Sequence, residues 1–336
     1  GGETKAKDMS KNFEWTTEEE QDWEENLPLR PEPPSPRSQH WRRWLLLAFL
    51  VLTVAGILVQ QARREVTAVT ADVEADILSS QALLEQAKSQ DDIEMFTTVL
   101  SGRDARWTAV QQALFQEDLL WDRRPFGLNL LTAPPTVISV TVAPDLQSAE
   151  MLVERQYAIH LTDDLPANGR DAVFAPPAIG ANEVTLQLPL TFRRGESRWL
   201  LAPPSDTYWG GWQQAKGHYI SLIYPERDAE VALRLLPEMD EQVKTLCRFE
   251  PAANCPGNWR LQVRLDTDPA SLTAVSDPQH LLNPSPVFDL PTPSLVGLPV
   301  DETGFKVLAQ AYAGKVVNRA IVDVVAFSGP QEQVGG

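Results

Sequence analysis

The order of apolar and polar residues divides the chain into a polar tail, one apolar run and a long mixed region. The apolar run, WLLLAFLVLTVAGILV, covers residues 44–59 and carries no charge. A helix of this length reaches ~24 Å, slightly less than the hydrocarbon thickness of a bilayer. Long polar side chains beside the run can extend to the headgroups and make up the difference. The pattern therefore predicts one transmembrane helix over residues 41–62.

Positive charges around the apolar run predict its orientation. Four arginines precede it and two follow it closely: Arg30, Arg37, Arg42 and Arg43 before, Arg63 and Arg64 after. The excess before the run places the N-terminus in the cytoplasm and most of the chain outside the plasma membrane. A cleaved signal peptide is the alternative. The long preceding region and the lack of a small-x-small pattern in VQQARRE favour an uncleaved anchor.

Residues 1–40 combine the acidic stretch EWTTEEEQDWEE with the proline-rich stretch PLRPEPPSPRS. Their charge and proline content leave too little apolar surface to offset the entropy lost on folding, so the sequence predicts a disordered cytoplasmic tail. Trp15 and Trp23 are candidate docking residues for a cytoplasmic partner. The alternative is that they are incidental aromatic residues in a solvated tail. Met9 is a candidate start of the natural protein.

After the membrane run, the period of the apolar positions changes from helical to strand-like. Between residues 66 and 87 apolar residues recur every three or four positions, which predicts one long amphipathic helix. Asp91 and Asp92 are predicted to cap a second, short helix, and Asp104 a third. Two predicted hairpins follow, formed by residues 137–142 with 148–159 and by residues 183–194 with 197–202. Helices followed by paired antiparallel strands indicate an α+β fold for residues 63–206.

Residues 218–336 predict a smaller α/β domain. Strand-like segments at 218–225 and 259–268 flank a helical segment, and such β-α-β units normally place their strands in one parallel or mixed sheet. Pro237 falls inside the helical segment and predicts a break or a kink there. The stretch TPSLVGLPV predicts a pair of strands or an edge strand. Residues 301–327 predict a long final helix.

A short linker, residues 207–217, is expected to join the two domains. Its sequence, TYWGGWQQAKG, contains Tyr208, Trp209 and Trp212. Aromatic rings can stack on a sugar or a peptide, so these three residues are candidates for a ligand or partner surface. The alternative is that they pack the joint between the two domains.

Charge and cysteine content narrow the function and the compartment. The chain has 29 Lys and Arg against 46 Asp and Glu, a net charge of −17, which disfavours binding to nucleic acid. Its two cysteines, Cys247 and Cys255, are expected to form a disulfide outside the membrane. Two unpaired core thiols are the alternative. Without a nearby histidine or a second cysteine pair they make only half of a zinc site.

The closing hairpin LPLTFRRGESRWLLAPP and the order of elements resemble the cone-shaped nuclear-transport-factor-like domains, also called SnoaL-like, over about residues 70–205. The resemblance implies helices that close over a curved sheet, a fold that hosts both enzymes and binding modules. Catalytic members resembling ketosteroid isomerase need an acid or a base inside the cone. Tyr157, His160, Asp163 and Asp164 are the cluster that could serve. We interpret them as surface residues at a hairpin end.

The order of elements after residue 218 resembles the front part of peptidase-MA-like, gluzincin-type metallopeptidases. Phrases such as YPERDAEVALRLLPEMD and PSLVGLPVDETGF resemble uncharacterised single-pass bacterial envelope proteins that carry both kinds of region. Metallopeptidases need H-E-x-x-H on the final helix, where this chain reads QAYAGKVVN. The resemblance therefore implies a degenerate peptidase-like region without metal or other cofactor. This region is expected to be incomplete at Gly336.

Together these observations predict a membrane-anchored, extracytoplasmic binding or interaction protein without catalysis. A protein is its expected partner, and the sequence leaves a small-molecule ligand open. One alternative is a transmembrane signalling protein that senses an outer ligand and contacts a cytoplasmic regulator through its acidic tail. Another is an enzyme that uses the cavity of the SnoaL-like domain.

Overall fold

The structure, a computed structural model, describes residues 38–160, 182–249, 255, 259–283 and 285–328. It contains both helices and sheets and divides into two compact units, Gly1–Arg63 and Arg64–Gly336. Most of the tail for which the sequence predicts disorder, residues 1–37, lies outside the described residues.

Helix α1, Ser38–Ser89, contains the apolar run. Its segment Arg43–Gln61 has a mean hydropathy of 2.1 and is long and apolar enough to cross a membrane. The hydroxyl of Thr53, inside this segment, lies 2.8 Å from the carbonyl oxygens of Phe49 and Leu50. A hydroxyl that is hydrogen-bonded within its own helix is compatible with a hydrocarbon environment. Among the described residues, one helix therefore has the length and composition of a membrane span.

The helical segments before the sheets follow the predicted pattern. The later turns of α1 bury apolar side chains such as Ile77. Helices α2, Ile93–Thr98, and α3, Ala105–Gln116, begin directly after two of the predicted caps, Asp92 and Asp104. Asp91, the third predicted cap, lies one residue before the cap of α2 and has a φ of +51°. The carboxylates of Asp92 and Asp104 each accept a hydrogen bond at 2.9 Å from the backbone N–H three residues further on. Such a cap satisfies one free N–H of the first turn and contributes about 1 kcal/mol to helix stability.

A curled antiparallel sheet of six strands forms around one long central pair. Its strands are β1 Leu128–Leu130, β2 Thr136–Val142, β3 Ser148–Ile159, β4 Glu183–Arg194, β5 Trp199–Leu201 and β10 Leu298–Pro299. Strands β3 and β4 are the central pair; β1 and β2 lie along the outer edge of β3, and β5 and β10 along that of β4. Both predicted hairpins, β2–β3 and β4–β5, are present.

The second sheet has four strands, of which three are parallel. In spatial order they are β6 Trp212–Lys216, β7 Ile220–Pro225, β8 Leu261–Asp266 and β9 Val287–Pro291, with β6 antiparallel at the edge. Helix α4, Ala229–Phe249, connects β7 to β8 and completes the predicted β-α-β unit. Three short helices and one long helix follow: α5 Ala270–Ala274, α6 Pro278–Leu282, α7 Pro293–Val296 and α8 Glu302–Ser328.

Three local expectations differ from the structure. Strand β6 lies inside the expected linker. Helix α4 continues through Pro237, between the buried side chains of Leu236 and Met239, so the helix does not break there. The stretch TPSLVGLPV forms α7 followed by the two-residue edge strand β10, so the predicted edge strand is present only at its end and the predicted strand pair is absent. Pro293 suits the first helical position, where its missing N–H costs nothing, and Gly297 ends the helix with a φ of +136°.

Of the two buried clusters in the described residues, one joins the two sheets, and the other packs α1 to α3 against the first sheet. Leu186 of β4 and Tyr312 of α8 belong to the same buried cluster as the inward-facing residues of β7 and β8. Strand β10, which follows the second sheet in sequence, pairs with β4 of the first. Apart from Arg63, the ranges 63–206 and 218–336, which the sequence assigns to two domains, therefore lie in one compact unit by packing. The boundary at residues 207–217 remains a prediction that the two parts of the chain are separate domains.

The shared core makes a prediction for unfolding. We expect the full chain in detergent to lose the structure of Arg64–Gly336 in one cooperative transition, because one buried cluster contains residues of both sheets, so that loss of either sheet exposes apolar surface of the other. Unfolding curves from far-ultraviolet circular dichroism and tryptophan fluorescence should then coincide. Two separated transitions would contradict the shared core and support two independently folding domains.

A disulfide joins Cys247, in the last turn of α4, to Cys255, as the sequence predicts; their Cα atoms are 5.6 Å apart. A cross-link over so short a loop contributes about 2.5 kcal/mol by restricting the unfolded chain. We expect the double variant Cys247→Ser, Cys255→Ser to lose about that free energy of unfolding in urea. Reductant should destabilise the wild type equally and leave the variant unchanged. Equal responses of the two proteins to reductant would contradict the prediction.

Candidate ligand-binding cavity

A cavity of about 270 Å³ lies in the unit Arg64–Gly336. Its walls come from α3, from β4, from residues 201–209 and from the segments that follow β8 and β9. Most of the lining is apolar or aromatic: Trp107, Leu114, Leu120, Trp121, Leu188, Pro189, Leu190, Leu201, Ala202, Pro203, Pro204, Tyr208, Trp209, Pro269, Leu272 and Leu295. Segments after the carboxyl ends of parallel strands are common ligand sites in α/β sheets.

Local sequence explains two of these walls. Trp107, Gln111 and Leu114 are four and three residues apart on α3, so they share one helix face, and all three line the cavity. Pro203 and Pro204 continue the wall after β5. Proline has no backbone N–H, so this part of the wall places no unpaired hydrogen-bond donor beside the apolar space.

Two of the three aromatic residues that the sequence singles out belong to the cavity wall. The Tyr208 hydroxyl lies 3.5 Å from Glu150 Oε1, and the Arg227 guanidinium stacks 3.9 Å above the Tyr208 ring while it pairs with Glu150. Burial, together with the Glu150 carboxylate, raises the pKa of Tyr208 well above its usual value. The Trp209 ring packs edge-on against Tyr208, with ring centroids 4.8 Å apart. These contacts fix both rings in place.

Trp212 has a different position. It is the first residue of the edge strand β6, 52% of its surface is exposed, and it is not part of the cavity lining. The structure thus groups Tyr208 and Trp209 at one site and separates Trp212 from them. Whether Trp212 contacts a partner remains a prediction.

A buried arginine holds the C-terminal end of α7 beside the cavity. Arg123 exposes 3% of its surface and donates from Nε to the carbonyl of Val296 at 2.8 Å and from Nη2 to that of Leu295 at 2.9 Å. Its Nη1 donates to three carbonyl oxygens near its own position in the chain, those of Leu119, Leu120 and Asp122. Burial lowers the pKa of this guanidinium from its usual value. Its hydrogen bonds are therefore committed mainly to backbone carbonyls.

A buried carboxylate holds the other end of α7. Asp228, which exposes 2% of its surface, accepts hydrogen bonds from the hydroxyls of Thr292 and Ser294 and from the backbone N–H of Ser294 at 3.1 Å. Free N–H groups at a helix start attract negative charge, and free carbonyls at its end attract positive charge. Asp228 and Arg123 thus fix a four-residue helix that carries two lining residues, Ser294 and Leu295.

The cluster that the SnoaL-like resemblance suggests as catalytic is not assembled in the described residues. Tyr157 is fully buried and donates to the carbonyl of Trp121 at 2.9 Å, so its interpretation as a surface residue is wrong. The alternation of β3 explains this, because Tyr157 shares the inward face with Met151 and Val153. His160 is exposed at the strand end, and Asp163 and Asp164 lie outside the described residues.

Within the part of the chain that the structure describes, no group of three or more His, Cys, Asp or Glu residues is arranged to hold a metal ion. The stretch QAYAGKVVN lies in α8, where Tyr312 and Val316 are fully buried and pack into the core. Trp15 and Trp23, the candidate docking residues of the tail, lie outside the described residues.

Comparisons with protein-family models, with curated proteins and with solved structures find no match to this chain. The resemblances to SnoaL-like and to peptidase-MA-like domains therefore remain predictions, and the function has to be argued from the cavity itself.

Proposed function

We propose that this chain is a single-pass plasma-membrane protein whose extracytoplasmic region binds a small, largely apolar ligand without changing it chemically. The observation that carries the proposal is the cavity, whose walls combine tryptophan, tyrosine, leucine and proline side chains. Small-molecule sites are typically concave and apolar, with few polar groups that orient the ligand. The span Arg43–Gln61 supports the membrane anchor, and the arginines before it support a cytoplasmic N-terminus.

The state of the ionisable groups favours binding over catalysis. General acid–base chemistry needs a side chain that can exchange a proton within reach of the substrate. Among the described lining residues, the ionisable ones are Arg123, Asp206 and Tyr208. Arg123 is held by backbone carbonyls, the raised pKa of Tyr208 keeps its phenol neutral near pH 7, and Asp206 is exposed at the rim. An enzyme that uses this cavity remains the alternative.

The matched pair Trp209 and Trp212 tests the binding site. We expect Trp209→Ala to weaken binding of 2-isopropylnaphthalene about tenfold, because it removes one aromatic wall, a loss of about 1.4 kcal/mol. Trp212→Ala should leave the affinity within twofold. Equilibrium dialysis of the full chain in nanodiscs measures this, with empty nanodiscs to subtract partition into lipid. Equal effects of both substitutions, or binding no greater than to empty nanodiscs, would contradict the site.

We also propose contact with a protein partner outside the membrane, and the signalling alternative places that partner in the cytoplasm. The alternative depends on Trp15 and Trp23 in the acidic tail. Deleting residues 9–36 separates the two accounts. An unchanged phenotype favours a role outside the membrane alone, and loss of phenotype with ligand affinity intact favours signalling.

A further inference from the structure

Gln111 supplies the side-chain amide of the cavity wall. It lies in the middle of α3, exposes 8% of its surface and lines the cavity. Its side-chain amide makes no hydrogen bond with any residue that the structure describes. Gln112, the next residue on the same helix, donates from Nε2 to Thr97 Oγ1 at 3.1 Å. The amide atoms of Gln111 are not among the buried atoms that lack a partner, so they are open to the cavity, where a bound group can form hydrogen bonds with them.

The buried charged groups beside the cavity are already committed, and the remaining charged residue of the described lining, Asp206, is exposed to solvent. Arg123 donates to the carbonyls at the end of α7, and Asp228 accepts from Thr292 and Ser294. A ligand with a full charge would have to enter this apolar space without a free counter-ion of its own. The unused hydrogen-bonding capacity of the buried part of the described wall is therefore neutral. It consists of the Gln111 amide, which combines a donor and an acceptor in one planar group, and of the indole N–H of Trp121.

We infer that Gln111 is the polar anchor of the cavity and that the ligand is an uncharged carboxamide on a compact aromatic or alicyclic body. The ligand carbonyl accepts from Gln111 Nε2 and the ligand N–H donates to Gln111 Oε1, so that two parallel hydrogen bonds form. The aromatic wall of Trp107, Trp121 and Trp209 contacts the apolar body. This inference rests on the proposed function and specifies the ligand class for the same cavity.

Three probes with one common ring system test the inference: 2-naphthamide, 2-naphthoate and 2-isopropylnaphthalene. Each is dialysed against the full chain in nanodiscs, with empty nanodiscs as the reference, and wild type is compared with Gln111→Leu. We expect Gln111→Leu to weaken the binding of 2-naphthamide at least tenfold. The affinity for 2-isopropylnaphthalene should change by less than twofold or become higher. Gln112→Leu, the matched control, should change neither probe by more than twofold.

The outcomes separate this inference from the proposed function. If 2-naphthamide and 2-isopropylnaphthalene respond equally to Gln111→Leu, or neither responds, Gln111 is not the anchor although the cavity still binds. If 2-naphthoate binds most tightly, Arg123 acts as a counter-ion and the uncharged ligand class is wrong. If no probe depends on Trp209, the proposed function fails as well. Thermal unfolding verifies that Gln111→Leu is folded, and Gln111→Met repeats the test if it is not.

Discussion

Replacing Arg123 by methionine should lower the free energy of unfolding by about 3 to 5 kcal/mol. Methionine retains most of the apolar stem but removes the donors to the carbonyls of Leu295, Val296 and Leu119. A buried carbonyl that loses its partner costs about 1 to 3 kcal/mol, and relief from burying a guanidinium offsets part of the sum. The effect is large because a single side chain satisfies carbonyls from two distant segments.

The neighbouring residue supplies the control for this prediction. Arg124 is half exposed, pairs with Asp122 at 3.3 Å and donates to the carbonyl of Glu117. Arg124→Met should therefore cost less than about 1 kcal/mol, as exposed ion pairs generally do. Urea denaturation of both variants gives the comparison. Similar losses for the two positions would show that Arg123 does not hold α7.

Replacing Asp228 by alanine is the second large expected loss, about 3 kcal/mol in the same assay. The substitution leaves the hydroxyls of Thr292 and Ser294 and the backbone N–H of Ser294 without their acceptor in a buried site. Hydroxyls can rotate to other acceptors, but the backbone N–H cannot, so part of the cost is unavoidable. Because Ser294 and Leu295 line the cavity, the variant should also bind 2-isopropylnaphthalene more weakly.

Asp206→Ala is the matched control for Asp228. Asp206 lies in the cavity lining but is exposed, so its removal should change the free energy of unfolding by less than about 0.5 kcal/mol. A loss of unfolding free energy at Asp206 as large as that at Asp228 would contradict this account. It would indicate that the carboxylate charge near the cavity determines stability, rather than the hydrogen bonds of Asp228 to the start of α7.

Local signals account for the elements that the sequence predicts well. Asp92 and Asp104 are caps because a short carboxylate reaches the free N–H groups of the following turn, and that geometry is confined to four residues. The two hairpins follow from period-two alternation on either side of a short turn. Such features need no knowledge of the rest of the fold.

Elements that depend on partners far away in the chain cannot be predicted from local sequence patterns. Strand β10 has only two residues and exists because β4, far earlier in the chain, accepts it at its edge. Strand β6 reads as a polar linker because four of its five residues are exposed, as is common at a sheet edge. The interpretation of Tyr157 as a surface residue is wrong because it rests on the position at a hairpin end, whereas the alternation of β3 places Tyr157 on the inward face with Met151 and Val153.

The candidate site is predicted in part. Tyr208 and Trp209 stand out in the sequence as clustered aromatic residues, and the structure places both in the cavity wall. Arg123 and Asp228 do not stand out, because the residues that they bond to are far away in the chain. Val296 is 173 residues from Arg123, and Thr292 is 64 residues from Asp228. Gln111 gives no signal either, because a glutamine in a helix is ordinarily a surface residue. Its significance appears only with the burial around it.

Photoaffinity labelling of the full chain in membranes tests the central claim most directly, because it shows where an apolar ligand binds. An uncharged aryl diazirine is photolysed with and without excess 2-isopropylnaphthalene, and the labelled peptides are identified by mass spectrometry. The account predicts label on α3 and on residues 201–209 that the competitor removes, beside label on Arg43–Gln61 that it does not remove. Label confined to Arg43–Gln61, unchanged by the competitor, would contradict the account, because the probe would then only partition into lipid.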